Sequence, residues 1–295
     1  MSAADGGDDA LTASLLELLK SIKRRGWVLR GVPDPESVAD HMYQMAMICL
    51  HYPWKNEDDS KKSVQMAIAH DAPECIVGDI TPADGVPPET KHVREQLAAD
   101  FLACLLRDVD ESDTPDQIYA LWQEYEAGES SVAQIVHQID WVEAVVQASI
   151  YHRRYPHLNL DDFKTKQGVT DPWLSRIADE ALASWDATAE TRPIVFLIGP
   201  PGVGKGTQGA LVSMNHNLAH VSVGELLRQE QRNPKSKFSS FISRSFQHSV
   251  PVPAILSIIL LKNELGRNRS AAGFLLDGFP RSAEQLAAFE EQVWC

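Results

Sequence analysis

Two histidines and two aspartates follow one another in an order that could hold a metal ion: His41, the adjacent pair His70-Asp71, and Asp140. Imidazole nitrogens with carboxylate oxygens suit a first-row divalent ion such as Mn²⁺ or Co²⁺. Neighbouring residues on a helix point about 100° apart. His70 and Asp71 can therefore share an ion only at the end or edge of their helix. Glu74 lies one turn further on, and Asp79 follows in a Gly-Asp-Ile-Thr-Pro turn, so four ligand-type side chains fall within ten residues. A lone His-Asp pair more often ends a solvated helix than binds a metal, but the two outer segments change that balance. His41 is on a segment with an apolar helical face of Met42, Met45, Ala46 and Cys49. Asp140 lies in the apolar run Val136–Ala144, where a carboxylate costs free energy unless it is paired or metal-bound.

The surrounding blocks carry more information than the four residues alone. They are Gly26-Trp27-Val28-Leu29-Arg30, Pro35-Glu36-Ser37-Val38-Ala39-Asp40-His41-Met42-Tyr43, and His70 through Asp84. In this order they resemble the HD-domain metal-dependent phosphohydrolases, and among them the 5′-deoxynucleotidases, over residues 11–186. The resemblance implies an all-α helical bundle with His41, His70, Asp71 and Asp140 around one ion. It implies a second, harder site at Glu74, Asp79 and the Ile80 carbonyl, suited to Mg²⁺. Glu74, Asp71 and Asp79 form the implied catalytic set, with Glu74 orienting or deprotonating water and Asp79 near the sugar. Arg24 or Arg25, together with Trp27, would hold the phosphate.

These residues need helices to position them. Leu15, Leu18, Leu19 and Ile22 have helical spacing within residues 11–25. Asp34-Pro35 reads as the cap and first turn of the His41 helix. Further helices are expected over 60–72, 89–107, 118–127, 130–155 and 169–185, with a loop over 76–90. No strand pattern occurs before residue 190.

Beyond residues 187–192, read as a linker after a disordered tail at 1–10 and a first domain at 11–186, the pattern changes. Pro193–Ile198 reads as a buried strand. Gly199-Pro200-Pro201-Gly202-Val203-Gly204-Lys205-Gly206-Thr207 follows at once and reads as a phosphate-binding loop. Gly206 separates Lys205 from Thr207, as in adenylate-kinase-like nucleoside monophosphate kinases. His220–Arg228 and Gly273–Arg281, with Gln285 one turn on, resemble further blocks of that family. The resemblance implies a partial α/β P-loop domain over 193–295 with a nucleotide site at Gly202, Gly204, Lys205, Gly206, Thr207, Arg228, Asp277, Arg281 and Gln285, and ATP as its ligand. Val223 and Glu225 stand where that family usually has Thr and Asp. No lid or late arginines follow, so binding is expected there without kinase turnover.

The formal charge of −14 is uneven: residues 191–295 hold 11 basic and 7 acidic side chains, against 16 and 34 in residues 1–190. An acidic body disfavours nucleic-acid polymer as a partner. Cys49, Cys75, Cys104 and Cys295 form no Cys-x-x-Cys pair, which points to reduced thiols and a cytoplasmic setting, with the nucleus open. No segment reads as a signal peptide or membrane span. The resulting expectation is a metal-dependent 5′-deoxynucleotidase acting on deoxyribonucleoside 5′-monophosphates, with a homodimer allowed. A nucleoside monophosphate kinase and a nucleotide-sensing regulator are the alternatives.

Overall fold

The computed structural model describes residues 13–107, 114–185, 191–200, 202–268 and 270–294. The chain divides into two compact units, residues 1–186 and 187–295. The tail expected at 1–10, and residues 187–190 of the expected linker, lie outside the described residues.

The first unit is helical. Residues 13–17 form α1, which tightens into a 3-10 turn over Leu18–Lys20. Then come α2 (Arg25–Leu29), α3 (Val38–His51), α4 (Glu57–Ala69), α5 (Glu74–Val77), α6 (Pro88–Arg107), α7 (Thr114–Ala127), α8 (Ser131–Arg154) and α9 (Pro172–Trp185). Among the described residues of this unit the only β pairing is an isolated bridge between Lys23 and Ser37. That pairing breaks the helix expected over 11–25. The Arg24 N–H donates to the Glu36 carbonyl and the Val38 N–H to the Ile22 carbonyl, so the chain runs alongside residues 36–38 before α2 starts.

The start of α3 also differs from expectation. Its cap is Ser37, not Asp34. Ser37 Oγ accepts from the Asp40 N–H and the Asp40 carboxylate accepts from the Ser37 N–H, a reciprocal capping box. The Glu36 backbone is meanwhile held by Tyr151 Oη, which accepts its N–H at 2.8 Å. Asn56 caps α4, which ends at Ala69 with His70 as its C-cap, because Pro73 cannot continue a helix. His70 and Asp71 therefore stand at a helix end.

Helix α8 packs against both α3 and α4. Val136, Ile139 and Val142 on α8 join Met45 of α3, Met66 of α4 and Leu174 of α9 in one core cluster. A second cluster forms around Val38, Met42, Ala72, Cys75 and Leu102, and a third around Trp27, Tyr151, Leu160 and Trp185. No helix among the described residues is long and apolar enough to cross a membrane.

The second unit contains β1 (Ile194–Leu197), α10 (Lys205–His216), β2 (Leu218–Ser222), α11 (Val223–Arg232), α12 (Ser239–Gln247), α13 (Ala254–Arg267), β3 (Gly273–Asp277) and α14 (Ala283–Phe289). Its three strands are parallel in the order β1-β3-β2. The strand expected at 193–198 is thus an edge and not a buried one: Val195 is 43% exposed. The central strand is β3, with Phe274, Leu275 and Leu276 buried. A side chain at Gly273 would place its Cβ 2.5 Å from the Pro193 carbonyl, so only glycine lets the two strands approach this closely.

Replacing Ser37 with alanine removes the α3 cap in a buried setting. We expect Ser37→Ala to lower the stability of the first unit by about 1 kcal/mol, read by denaturant unfolding. An unchanged midpoint would show that the capping box contributes nothing.

Candidate metal centre

Four elements bring the sequence-predicted residues of the first unit together. Helix α3 supplies His41, the end of α4 supplies His70 and Asp71, α5 supplies Glu74, and α8 supplies Asp140. His41 and His70 are both buried. His70 Nδ1 donates to the Ala67 carbonyl at 3.0 Å, which leaves Nε2 as the free lone pair. Nε2 then lies 3.2 Å from Asp71 Oδ2. His41 Nδ1 lies 2.7 Å from Glu143 Oε2, and its Nε2 faces Asp140 Oδ1 at 3.2 Å and Asp71 Oδ2 at 3.9 Å. Both Nε2 atoms are buried without a hydrogen-bond partner. The ligand atoms of His41, His70 and Asp71 lie within 4.8 Å of one another. Asp140 borders this group through His41, and its other oxygen accepts from Tyr125 Oη at 2.8 Å.

These separations fit a shared cation. Ligands about 2.0–2.2 Å from one ion stand roughly 3–3.5 Å apart. The electrostatics agree. Burial would raise the Asp71 carboxyl, but His70, Arg24 and His41 hold it well below the usual range. Asp140 is lowered in the same way, against its burial, by His41, His70 and Arg24. Burial and Arg24 push His41 down, yet Asp140 and Glu143 outweigh them and raise it to about 10. The cage thus favours positive charge at its centre.

A cavity of about 490 Å³ opens onto this cluster, lined by Arg24, Trp27, His70, Asp71, Glu74, Asp79, Ile80 and Asp140 among others. The two arginines separate cleanly. Arg24 Nη1 reaches Asp71 Oδ2 at 3.2 Å inside the cavity, whereas the Arg25 guanidinium turns away to Asp84 Oδ1 at 3.0 Å. Arg25 is not among the residues lining this cavity, so of the two arginines Arg24 is the one that stands beside Asp71. The Trp27 indole N–H is committed to Glu36 Oε1 at 2.7 Å, and its ring packs on Phe163 and Tyr151. Asp79 accepts the Arg25 backbone N–H at 2.6 Å, tying the start of α2 to the cavity wall. Glu74 is buried with Oε2 unpartnered, and burial, then Asp71 and Asp79, push its carboxyl well up. Among the described residues no third acidic or histidine side chain joins Glu74 and Asp79 in a ligand group. The second site is thus less complete than the first.

Of the other lining residues, Glu95 belongs to the cluster His92-Val93-Arg94-Glu95, which reads from the sequence as a solvated face able to line the pocket. The structure buries Glu95 there, and Lys91, Arg30 and Phe163 carried no role from the sequence. Lys91 and Glu95 form a half-buried pair at 3.4 Å on the α6 wall, and Arg30 and Phe163 line the far side. Glu143 sits behind His41. Its sequence signals are its charge within the apolar run Val136–Ala144 and its place three residues after Asp140, on the same face of α8.

The phosphate-loop residues of the second unit also assemble. Gly202 and Gly204 have φ of 82° and 83°, which favours glycine, and Gly204 caps α10. Lys205 Nζ donates to the Gly199 and Pro200 carbonyls at 2.8 Å each. Lys205, Arg228, Asp277 and Arg281 line one cavity of about 740 Å³. Asp277 Oδ1 is buried without a partner. Gly206 and Thr207 open α10, and the Gln285 side chain accepts the Arg281 N–H, so it shapes the turn there.

Saturating Mn²⁺ should raise the melting temperature of the chelator-stripped protein, by mass action on the folded state. Asp71→Ala and Asp140→Ala should remove that rise, read by thermal melts with and without metal. A full rise retained in Asp71→Ala would place the ion elsewhere.

Comparison with known proteins agrees with this division. Residues 16–177, more than half of the chain, match the HD domain family model, and residues 197–294 match the adenylate kinase model. The bovine protein named 5′-deoxynucleotidase HDDC2 is 47% identical over 138 residues, covering 46% of this chain and 64% of its own length, just under two thirds. The mouse protein of that name is 41% identical over 157 residues, covering 51% and 75%. The fission-yeast (Schizosaccharomyces pombe) 5′-deoxynucleotidase hdd1 is 35% identical over 185 residues, covering 60% and 92%. The chain belongs to the HD-domain family, and an adenylate-kinase-like region follows its HD domain.

Proposed function

We propose that the first unit is a metal-dependent phosphohydrolase that removes the 5′-phosphate from deoxyribonucleoside 5′-monophosphates. The observation that carries this reading is the pair of buried, unpartnered Nε2 atoms of His41 and His70 facing Asp71 and Asp140 at the floor of a cavity walled by Arg24. Relatives named for this activity match the same unit. A divalent cation held there, Mn²⁺ or Co²⁺ by its donor set, would neutralise phosphoryl charge and bring a bound water to a pKa of about 7.

The chain's own groups then have distinct tasks. His41, His70, Asp71 and Asp140 hold the cation. Arg24 is protonated throughout: burial opposes its charge, but Asp71, Asp140, Asp79 and Glu74 raise it above its ordinary value. Its guanidinium is the phosphate anchor. Trp27, locked by Glu36, fixes the short helix that begins just after Arg24. Burial, then the Asp71 and Asp79 charges, push the Glu74 carboxyl up, but a cation bound beside it would offset them and leave it ionised. Its Oε2 then takes a proton from the attacking water. The P–O5′ bond breaks as the new P–O bond forms, and the proton taken up by Glu74 is returned to O5′, giving inorganic phosphate and a deoxynucleoside. Asp79, held by the start of α2, borders the sugar side. A Mg²⁺ at Glu74, Asp79 and Ile80 belongs to the same proposal.

For the second unit we propose binding of nucleotide phosphates, ATP among them, at Gly202–Thr207. Lys205, Arg228 and Arg281 supply positive charge and Asp277 a seat for a hydrated cation. The kinase reading is not favoured, since the relatives reported above are named for deoxynucleotide hydrolysis. A regulatory role, in which nucleotide at the P-loop alters hydrolysis, is the remaining form of this second reading.

A phosphate-release screen of deoxy- and ribonucleoside 5′-monophosphates with Mn²⁺, Co²⁺ and Mg²⁺ tests the first reading. We expect turnover of the deoxy substrates without ATP, loss of it to background in Asp71→Ala, and near-wild-type rates in Lys205→Ala. Loss in Lys205→Ala with activity kept in Asp71→Ala would move the chemistry to the second unit. The arginines give a further test. Arg24→Met should cost roughly 10²-fold in kcat/KM, the scale of one lost charge-stabilising donor, and Arg25→Met only a few-fold. The reverse ranking would refute the Arg24 assignment.

A further inference from the structure

Glu143 is a charged side chain in an apolar stretch of α8 and is only 1% exposed. A carboxylate placed this deep costs free energy unless a partner compensates it. The hydrogen bond the structure gives it is to His41, Oε2 to Nδ1 at 2.7 Å, while Oε1 is buried without a partner. His41 is itself 0% exposed. Glu36 joins both within 4.8 Å, but its own carboxylate accepts the Trp27 indole N–H. This leaves Glu143 as the partner of Nδ1.

We propose that Glu143 is a positioning residue that fixes the tautomer of His41 and so readies its Nε2 for a metal. This inference rests on His41 being a ligand of the proposed cation. A metal takes only the neutral imidazole, so a bound cation would displace the extra proton that, against burial, Asp140 and Glu143 favour in its absence. The one proton left can sit on either nitrogen. The Nε2 side faces Asp140 Oδ1 at 3.2 Å, an acceptor that would draw the proton there and block the lone pair. Glu143 supplies a competing acceptor on the opposite side. With Nδ1–H donated to Glu143, the Nε2 lone pair points at Asp71 and Asp140. The short, buried contact also holds the ring plane. His70 reaches the same end with a backbone group, its Nδ1 donating to the Ala67 carbonyl. The two histidines are thus set by different devices, and only that of His41 can be removed by changing a side chain. Carboxylate partners of this kind typically govern 10–100-fold in metal affinity.

The test titrates chelator-stripped full-length protein with Co²⁺, following heat and the visible absorption of the bound ion. Glu143→Leu should weaken Co²⁺ binding by about 10–100-fold and shift the absorption band. Glu143→Gln keeps the shape and an acceptor but not the charge, and should fall between Leu and wild type. Wild-type affinity and spectrum in either folded variant would overturn the positioning role while leaving the metal site intact. If Glu143→Leu does not fold, as judged by its melting curve, the near-isosteric Glu143→Gln decides by the same two readouts. No Co²⁺ binding by the wild-type protein would overturn both the metal site and this inference, which separates the two failures.

Discussion

The first unit depends on burying carboxylates beside histidines. Asp71 and Asp140 are half-buried and line a cavity among helices whose inward faces are apolar, where isolated charges are costly. Each is offset by neighbours: Asp71 by His70 and Arg24, and Asp140 by His41, Arg24 and the Tyr125 hydroxyl. The arrangement is net acidic around two imidazole lone pairs that have no protein partner. A divalent cation completes it in charge and in coordination. This electrostatic demand links the fold to the proposed reaction, since the cation that satisfies the cage is also what phosphate-ester hydrolysis requires.

The helices can be understood as supports for that demand. Helix α4 must end where His70 and Asp71 begin, and Pro73 with the short α5 produces that end while carrying Glu74 into the wall. Helix α8 is long enough to bury Val136, Ile139 and Val142 in the core and still present Asp140 and Glu143 on one face. The segment before α2 runs beside residues 36–38, and this directs the Arg24 guanidinium inward while that of Arg25 faces outward. One backbone pairing thus decides which of two adjacent arginines shares a cavity with Asp71.

Much of this was legible in the residues. His41, His70, Asp71 and Asp140 could be picked out because charged or ligating side chains in apolar helical runs need a reason. The phosphate loop was legible because its glycines and lysine have fixed spacing between a strand and a helix. Other features depended on contacts distant in sequence. Choosing Arg24 over Arg25 required the pairing with residues 36–38, and nothing local distinguishes the two. Asp34-Pro35 looked like a helix start, but Ser37 and Asp40 satisfy each other's N–H groups three residues later, and Glu36 is held by Tyr151. The β1 run is as apolar as a central strand, and only the strand order places it at the edge. Glu143 stands in the same apolar run as Asp140, but its role lies in His41, 102 residues away, which nothing local reveals.

The most direct test of the central claim is a crystal structure of the protein soaked with Mn²⁺, with anomalous differences recorded near the manganese edge. The account predicts one strong peak in the first unit, bonded to His41 Nε2, His70 Nε2, Asp71 and Asp140 at about 2.0–2.2 Å, with the Arg24 guanidinium beside Asp71. A structure with no peak among these four residues, or with the ion held by other side chains, would contradict it.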